Sequence, residues 1–199
     1  MLKRVVVLVS GGGTNLQALI DAQNRGTLKG GKIVCVISSK EGAFALERAK
    51  KAGISTAVLP RKTYSSRTDY DSALLAELQK QQADLVVLAG FLCILGETVI
   101  QAYDRRIINV HPSLIPSFCG DGFYGLKVHE EALRYGVKVT GATVHFVNQV
   151  TDGGQIILQK AVPVEEGDTP ETLQKRVMEQ AEWDLLPKAV SLFCEDKIK

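Results

Sequence analysis

The chain has 199 residues, 45% of them hydrophobic, 23% charged and 6% aromatic, a balance that excludes an intrinsically disordered chain and fits one globular domain spanning 1–199. Twenty-four Lys and Arg oppose 22 Asp and Glu, leaving a net charge of +2. That field is too weak to recruit nucleic acid or an anionic membrane, so any anionic ligand has to be met by local groups.

Val5 to Val9 is a β-branched run ending in the cluster Ser10-Gly11-Gly12-Gly13, and Leu16, Leu19 and Ile20 follow at helical spacing. This predicts strand, loop, helix. The run is too short for the core of a signal peptide, about 7 to 15 residues. The alternation repeats in Ile33 to Ile37 then Phe44 to Ala52, in Thr56 to Leu59 then Tyr70 to Gln81, and in Leu85 to Ala89 then Leu95 to Tyr103, with a fifth strand at Ile107 to Val110. Strands apolar on both faces and alternating with helices predict an α/β fold, an open, mainly parallel twisted sheet with helices on both faces and right-handed crossovers. The longest apolar stretch, Leu85 to Leu95, falls short of the roughly 18 to 20 residues of a bilayer span. A cytoplasmic protein is expected.

From His111 to Gly125 prolines and glycines predict loop, and a short helix over Lys127 to Arg134 follows. Val139 to Val147 and Gln155 to Val164 then read as an antiparallel pair toward the C-terminus. Thr169-Pro170-Glu171 supplies an N-cap, a first helical position and a first-turn acid for a closing helix running to about Cys194. Cys35, Cys93, Cys119 and Cys194 form no C-x-x-C pair, which argues for reduced packing residues over a zinc site or a disulfide framework.

Three places carry chemistry. The glycine cluster lies between a strand and a helix, where free backbone N–H groups and the helix dipole hold a phosphate. The alternative is a tight turn without a ligand. NAD is disfavoured, because position 16 is Leu where the dinucleotide fingerprint has its third glycine, and Ser38-Ser39-Lys40 offers no acid after the second strand. Asn109 and His111 end a central strand on the same side. There an imidazole exchanges protons near neutrality and a carboxamide donates to an oxygen gaining charge. A histidine that only bonds a loop is the commoner reading of that position on local grounds. Asp152 is the candidate partner that would raise the His111 pKa, although Asp152-Gly153 is also a turn signature. Arg61, Lys62 and Arg67 read either as a carboxylate site or as a solvated loop. His129 is expected on an exposed helix and His145 in a strand, both with packing or surface roles.

Taken together, Ser-Gly-Gly-Gly-Thr-Asn-Leu-Gln from Ser10, Leu-Ala-Gly-Phe-Leu-Cys-Ile-Leu from Leu88, Asn-Val-His-Pro-Ser-Leu-Ile-Pro from Asn109, and Gly-Ala-Thr-Val-His-Phe-Val from Gly141 with its Asp-Gly-Gly at Asp152 resemble the folate-dependent glycinamide ribonucleotide formyltransferases of purine synthesis. The resemblance runs from Arg4 to about Phe193 and implies the Rossmann-like formyltransferase fold, with a phosphate-binding half over about 1–100 and a folate and catalytic half over about 101–199. It puts Asn109, His111 and Asp152 at the catalytic positions and Gly12, Gly13, Thr14 and Asn15 at the phosphate of the ribonucleotide. Glu182 is brought toward the glycinamide, Arg67 near the glutamate tail of the folate, Leu92, Cys93, Ile94 and Leu95 along the pteridine pocket, and Thr143 and His145 beside the aspartate.

The implied reaction is attack of an unprotonated amine on the formyl carbon of 10-formyltetrahydrofolate through a tetrahedral intermediate, with protonated His111 and Asn109 holding the oxygen and no metal involved. The sequence departs from the family at Cys93, where a basic residue is common. It departs also at Gln149 and Thr151, in a longer Cys119 to Gly125 segment that suggests a lid, and by about one residue in the register of Glu182. Methionyl-tRNA formyltransferase and formyltetrahydrofolate deformylase share the folate half-site but carry an extra domain for which 199 residues leave no room. A non-catalytic nucleotide-binding module would need the glycine loop and not Asn109, His111 and Asp152.

Overall fold

The computed structural model describes residues 1–198. In chain order these form β1 (Lys3–Val9), α1 (Thr14–Asn24), β2 (Gly31–Ser38), α2 (Phe44–Lys51), β3 (Ser55–Val58), a 3-10 turn (Arg61–Thr63), α3 (Arg67–Lys80), β4 (Leu85–Leu88), α4 (Glu97–Ala102), β5 (Ile107–His111), α5 (Leu126–Tyr135), β6 (Val139–Phe146), β7 (Ile156–Pro163), α6 (Pro170–Val177), a π turn (Met178–Glu182) and α7 (Trp183–Cys194). One sheet of order β3-β2-β1-β4-β5-β6-β7 holds all seven strands. The first five pair in parallel, and β6 runs antiparallel to both β5 and β7. The expected antiparallel pair is thus part of the main sheet, not an appendage to it.

Alternation along β1 explains why both faces are covered. Val5, Val7 and Val9 pack with residues of α1, α2, α6 and α7, while Val6 and Leu8 pack with Tyr70, Leu74 and Leu78 of α3 and Val99 of α4. All five β1 side chains are fully buried, and each such aliphatic group contributes roughly 1.5 to 3 kcal/mol. Helix α3 starts where the Ser66 hydroxyl accepts the Asp69 N–H at 3.0 Å. Helix α6 starts at the reciprocal Thr169 and Thr172 capping box with Pro170 at its head.

Gly13 caps α1 at φ +73, and a Cβ there would lie 2.6 Å from the Ala45 Cβ on α2. The left-handed backbone alone costs a non-glycine residue about 1 to 2 kcal/mol, and the clash adds to it. Gly13→Ala is therefore expected to lower the urea midpoint of unfolding with an unchanged m-value, since it strains the native state and leaves the exposed area alone.

The closing helix differs from the expectation of one continuous element. A π turn at Met178–Glu182 separates α6 from α7, widening the backbone by one residue at a place where helices commonly carry function.

Candidate active site

In the order β3-β2-β1-β4-β5 the chain reverses direction across the sheet between β1 and β4, and ligands of open α/β sheets bind at that crevice, beyond the carboxyl ends of the strands. A cavity of about 590 Å³ lies there. Its lining includes the apolar side chains of Leu88, Leu92, Ile94, Leu95, Ile100 and Val147 and the polar ones of Asn15, Gln174 and Glu182. Asn109, His111 and Asp152 line the same cavity.

Strand β5 delivers Asn109 and His111, and the turn between β6 and β7 folds back to bring in Asp152, which takes a left-handed φ of +55. Turn and contact coexist. Gly153 donates its N–H to the Val150 carbonyl at 2.9 Å, while the Asp152 carboxylate reaches inward to lie 3.5 Å from His111 Nδ1 and 3.6 Å from His145 Nε2. The Gly120 N–H donates to Asp152 Oδ2 at 2.9 Å, and the Thr151 hydroxyl donates to Asp121, so the 119–125 segment is tied to the aspartate turn from both sides.

The histidine tautomers follow from their carbonyl partners, which can only accept. His145 Nδ1–H donates to the Phe146 carbonyl at 2.8 Å, so Nε2 accepts from Asn109 Nδ2 at 3.2 Å. The second Asn109 N–H donates to Asp152 Oδ1 at 3.4 Å. His111 Nε2–H donates to the Phe118 carbonyl at 2.8 Å, which turns Nδ1 toward the Asp152 carboxylate. Burial pulls the His111 pKa below its usual value, and Asp152 opposes this without reversing it. This corrects the expectation of a raised pKa: desolvation of a ring only 6% exposed outweighs a carboxylate at 3.5 Å. For Asp152 burial acts upward, but the neighbouring imidazoles of His145 and His111 and the Gly120 N–H hold the carboxyl below the ordinary range.

Of the glycine loop, only Asn15 lines the cavity. Its Nδ2 donates to Glu182 Oε2 at 2.6 Å. Glu182 is buried, and desolvation pushes its carboxyl up to about 7 against the pull of the Asn15 amide. Glu182 closes the π turn at Met178–Glu182, which ends where α7 begins. A Cβ on Gly12 would meet open space, Gly13 serves the turn, and the Thr14 hydroxyl lies 3.7 Å from the Met178 sulfur.

Leu92, Cys93, Ile94 and Leu95 line the cavity as expected, whereas Arg67 stands outside it and donates to the Leu95 carbonyl. Arg61 and Lys62 lie in the 3-10 turn, and Arg61 donates to the Tyr64 carbonyl. Thr143 does not meet the aspartate. Its hydroxyl donates to the Ser113 carbonyl and accepts the Ile115 N–H, fixing the loop after β5.

His129 is the residue most misplaced by its sequence. The ring is fully buried on α5, lines the cavity, and is pushed down to about 4 by burial and by His111. Val128, His129, Ala132 and Leu133 share the apolar face of that helix at i, i+1, i+4 and i+5, a spacing that marks it as inward. Among the described residues, no group of three or more His, Cys, Asp or Glu side chains is arranged to hold a metal, and no helix is long and apolar enough to cross a membrane.

The formyl transferase family profile matches residues 3–190. Phosphoribosylglycinamide formyltransferase of Escherichia coli (strain K12) is 42% identical over 195 residues, covering 98% of this chain and 89% of the relative. The trifunctional purine biosynthetic protein adenosine-3 of Homo sapiens is 45% identical over 196 residues, and the chain spans 19% of its length. The crystal structure of glycinamide ribonucleotide transformylase 1 from Symbiobacterium toebii superposes with a TM-score of 0.93 at 43% identity, over 100% of this chain and 90% of that one. A family profile over nearly the whole chain and full-length relatives at this identity agree with the sheet order and the cavity, and the chain belongs to the formyl transferase family.

Proposed function

We propose that this protein is a cytoplasmic enzyme that moves the formyl group of 10-formyltetrahydrofolate to the amine of glycinamide ribonucleotide. The observation that carries the reading is the convergence of Asn109, His111 and Asp152 in one cavity whose lining offers both apolar and polar side chains. The apolar lining suits a flat heterocycle, with backbone groups of residues 92–95 at its edge to read ring nitrogens. The polar lining, with Asn15 and Glu182 below the glycine loop, suits a phosphorylated amine.

10-Formyltetrahydrofolate, consumed as a substrate, supplies a formyl carbon open to attack by an amine. The Asn109 amide N–H groups sit where the formyl oxygen gains charge, and their present bonds, at 3.2 and 3.4 Å, are long enough to be exchanged for a stronger one to an oxyanion. His111 rests neutral with its Nδ1 lone pair facing Asp152. A proton released by the attacking nitrogen is accepted at Nδ1, or through a water held by Asp152, and the carboxylate stabilises the imidazolium that forms. The same proton then passes to the departing N10 nitrogen. Holding both substrates together supplies much of the rate, on the order of 7 to 11 kcal/mol for well-oriented pairs.

The test offers 10-formyltetrahydrofolate with glycinamide ribonucleotide, with water alone and with charged initiator tRNA. Formylation of the ribonucleotide is expected to exceed the other two outcomes. Rapid formylation of the tRNA, or hydrolysis without an amine, would reject the reading.

A further inference from the structure

The apolar wall of the cavity does not stand by itself. Arg67, Tyr70 and Asp71 lie at i, i+3 and i+4 on α3 and so share one face, and that face carries the loop of residues 91–96. Tyr70 is buried in the same apolar cluster as Leu95, against which Phe91 and Cys93 pack. Arg67 donates to the Leu95 carbonyl and pairs through Nε with Asp71 Oδ2 at 3.9 Å. The Asp71 side chain is only 5% exposed, and its Oδ2 lies 1.8 Å from where a Cβ on residue 96 would stand. Gly96 is therefore the one residue type that lets the carboxylate rest directly on the loop backbone. Asp71 does not line the cavity, and no step proposed above uses it.

We propose that Asp71 is a positioning residue that holds the Arg67 guanidinium across the Leu95 carbonyl, and thereby couples recognition of a ligand's carboxylate tail to the shape of the wall that reads its heterocycle. The proposal rests on the folate reading given above. Arg67 is half-exposed, with a side chain 52% accessible, and a guanidinium has five N–H donors. It can hold the Leu95 carbonyl and a ligand carboxylate at once, and a lysine, with a single ammonium, cannot present that fork. A ligand with a terminal carboxylate then tightens the same arginine that fixes Leu95, so that each end of the ligand improves the fit of the other.

The experiment measures calorimetric affinities of tetrahydrofolate and of tetrahydropteroate, which lacks the glutamate, for the intact protein and for Asp71→Asn. The unsubstituted protein is expected to prefer tetrahydrofolate by about 10-fold or more, as a charge-assisted pair provides. In Asp71→Asn that preference falls below about 3-fold, KM for the formyl donor rises, and kcat stays within about twofold, a split that a general loss of folding would not produce. Arg67→Lys, with its charge kept and its fork lost, is expected to lose the preference as well. If Asp71→Asn fails to fold, Gly96→Ala, whose Cβ must displace the carboxylate, is read in its place. A folded variant with an undiminished preference overturns the coupling alone. An intact protein that binds neither ligand overturns the folate reading and the coupling with it.

Discussion

Asp152→Asn should lower kcat by about 10²- to 10⁴-fold, the range expected when a general acid–base unit is lost, and should leave KM for both substrates within a few fold. The substitution is nearly isosteric. Its carboxamide oxygen can still accept the Gly120 N–H that now bonds Oδ2 at 2.9 Å, so the turn and the 119–125 segment keep their places and the loss is one of charge. That charge is what opposes burial at His111, where desolvation already pulls the pKa below the usual value. Without it the imidazole should titrate lower still. Its proton affinity at the moment of transfer drops, and the imidazolium formed during attack no longer faces a carboxylate.

Two measurements check this. Steady-state kinetics should give the fall in kcat, and NMR of the imidazole Cε1 protons should show the His111 midpoint moving down in the variant. A variant with kcat within threefold of the parent would mean that Asp152 positions the loop and takes no part in proton movement.

The elements and the position of the crevice were legible because they rest on local signals: β-branched runs, helical spacing and the glycine cluster after β1; the strand order is a matter of long-range pairing and comes from the structure alone. The pairing of Asp152 with His111 was not legible either, since it depends on how far the turn between β6 and β7 folds back over β5. Asp152-Gly153 describes an outward turn and an inward one equally well. The direction of the His111 shift was missed for a related reason. A partner can be guessed from residue types, but the depth of burial that outweighs it belongs to the packed structure.

The π turn did leave a trace. Leu173, Val177, Ala181 and Leu185 are buried at strict four-residue spacing, and in an α-helix of 3.6 residues per turn such a row drifts by about 40° per step. One wider turn absorbs the drift and keeps all four on the core. It also leaves Glu182, the next residue after Ala181, facing the cavity.

The position of Glu182 gives the second large effect, a pH-dependent one. Burial pushes this carboxyl up from 4.5 to about 7, with the Asn15 amide pulling the other way. Between those two values the folded protein holds a proton that the unfolded chain has released, so stability falls as pH rises through the window, by about 3 kcal/mol in all. Glu182→Gln keeps an oxygen to accept from Asn15 Nδ2 and has no charge to bury. Urea unfolding should therefore show the two proteins nearly equal in stability around pH 4.5 and the Gln variant ahead by about 3 kcal/mol at pH 8. The same change removes the charged acceptor from the polar lining of the cavity, and KM for the amine substrate should rise about tenfold or more, the worth of a hydrogen bond to a charged group. A stability gap independent of pH would show that Glu182 is already ionised when the protein is folded at pH 5. In that case the carboxylate is stabilised by more than Asn15, and its surroundings in the cavity are wetter than its 5% exposure indicates.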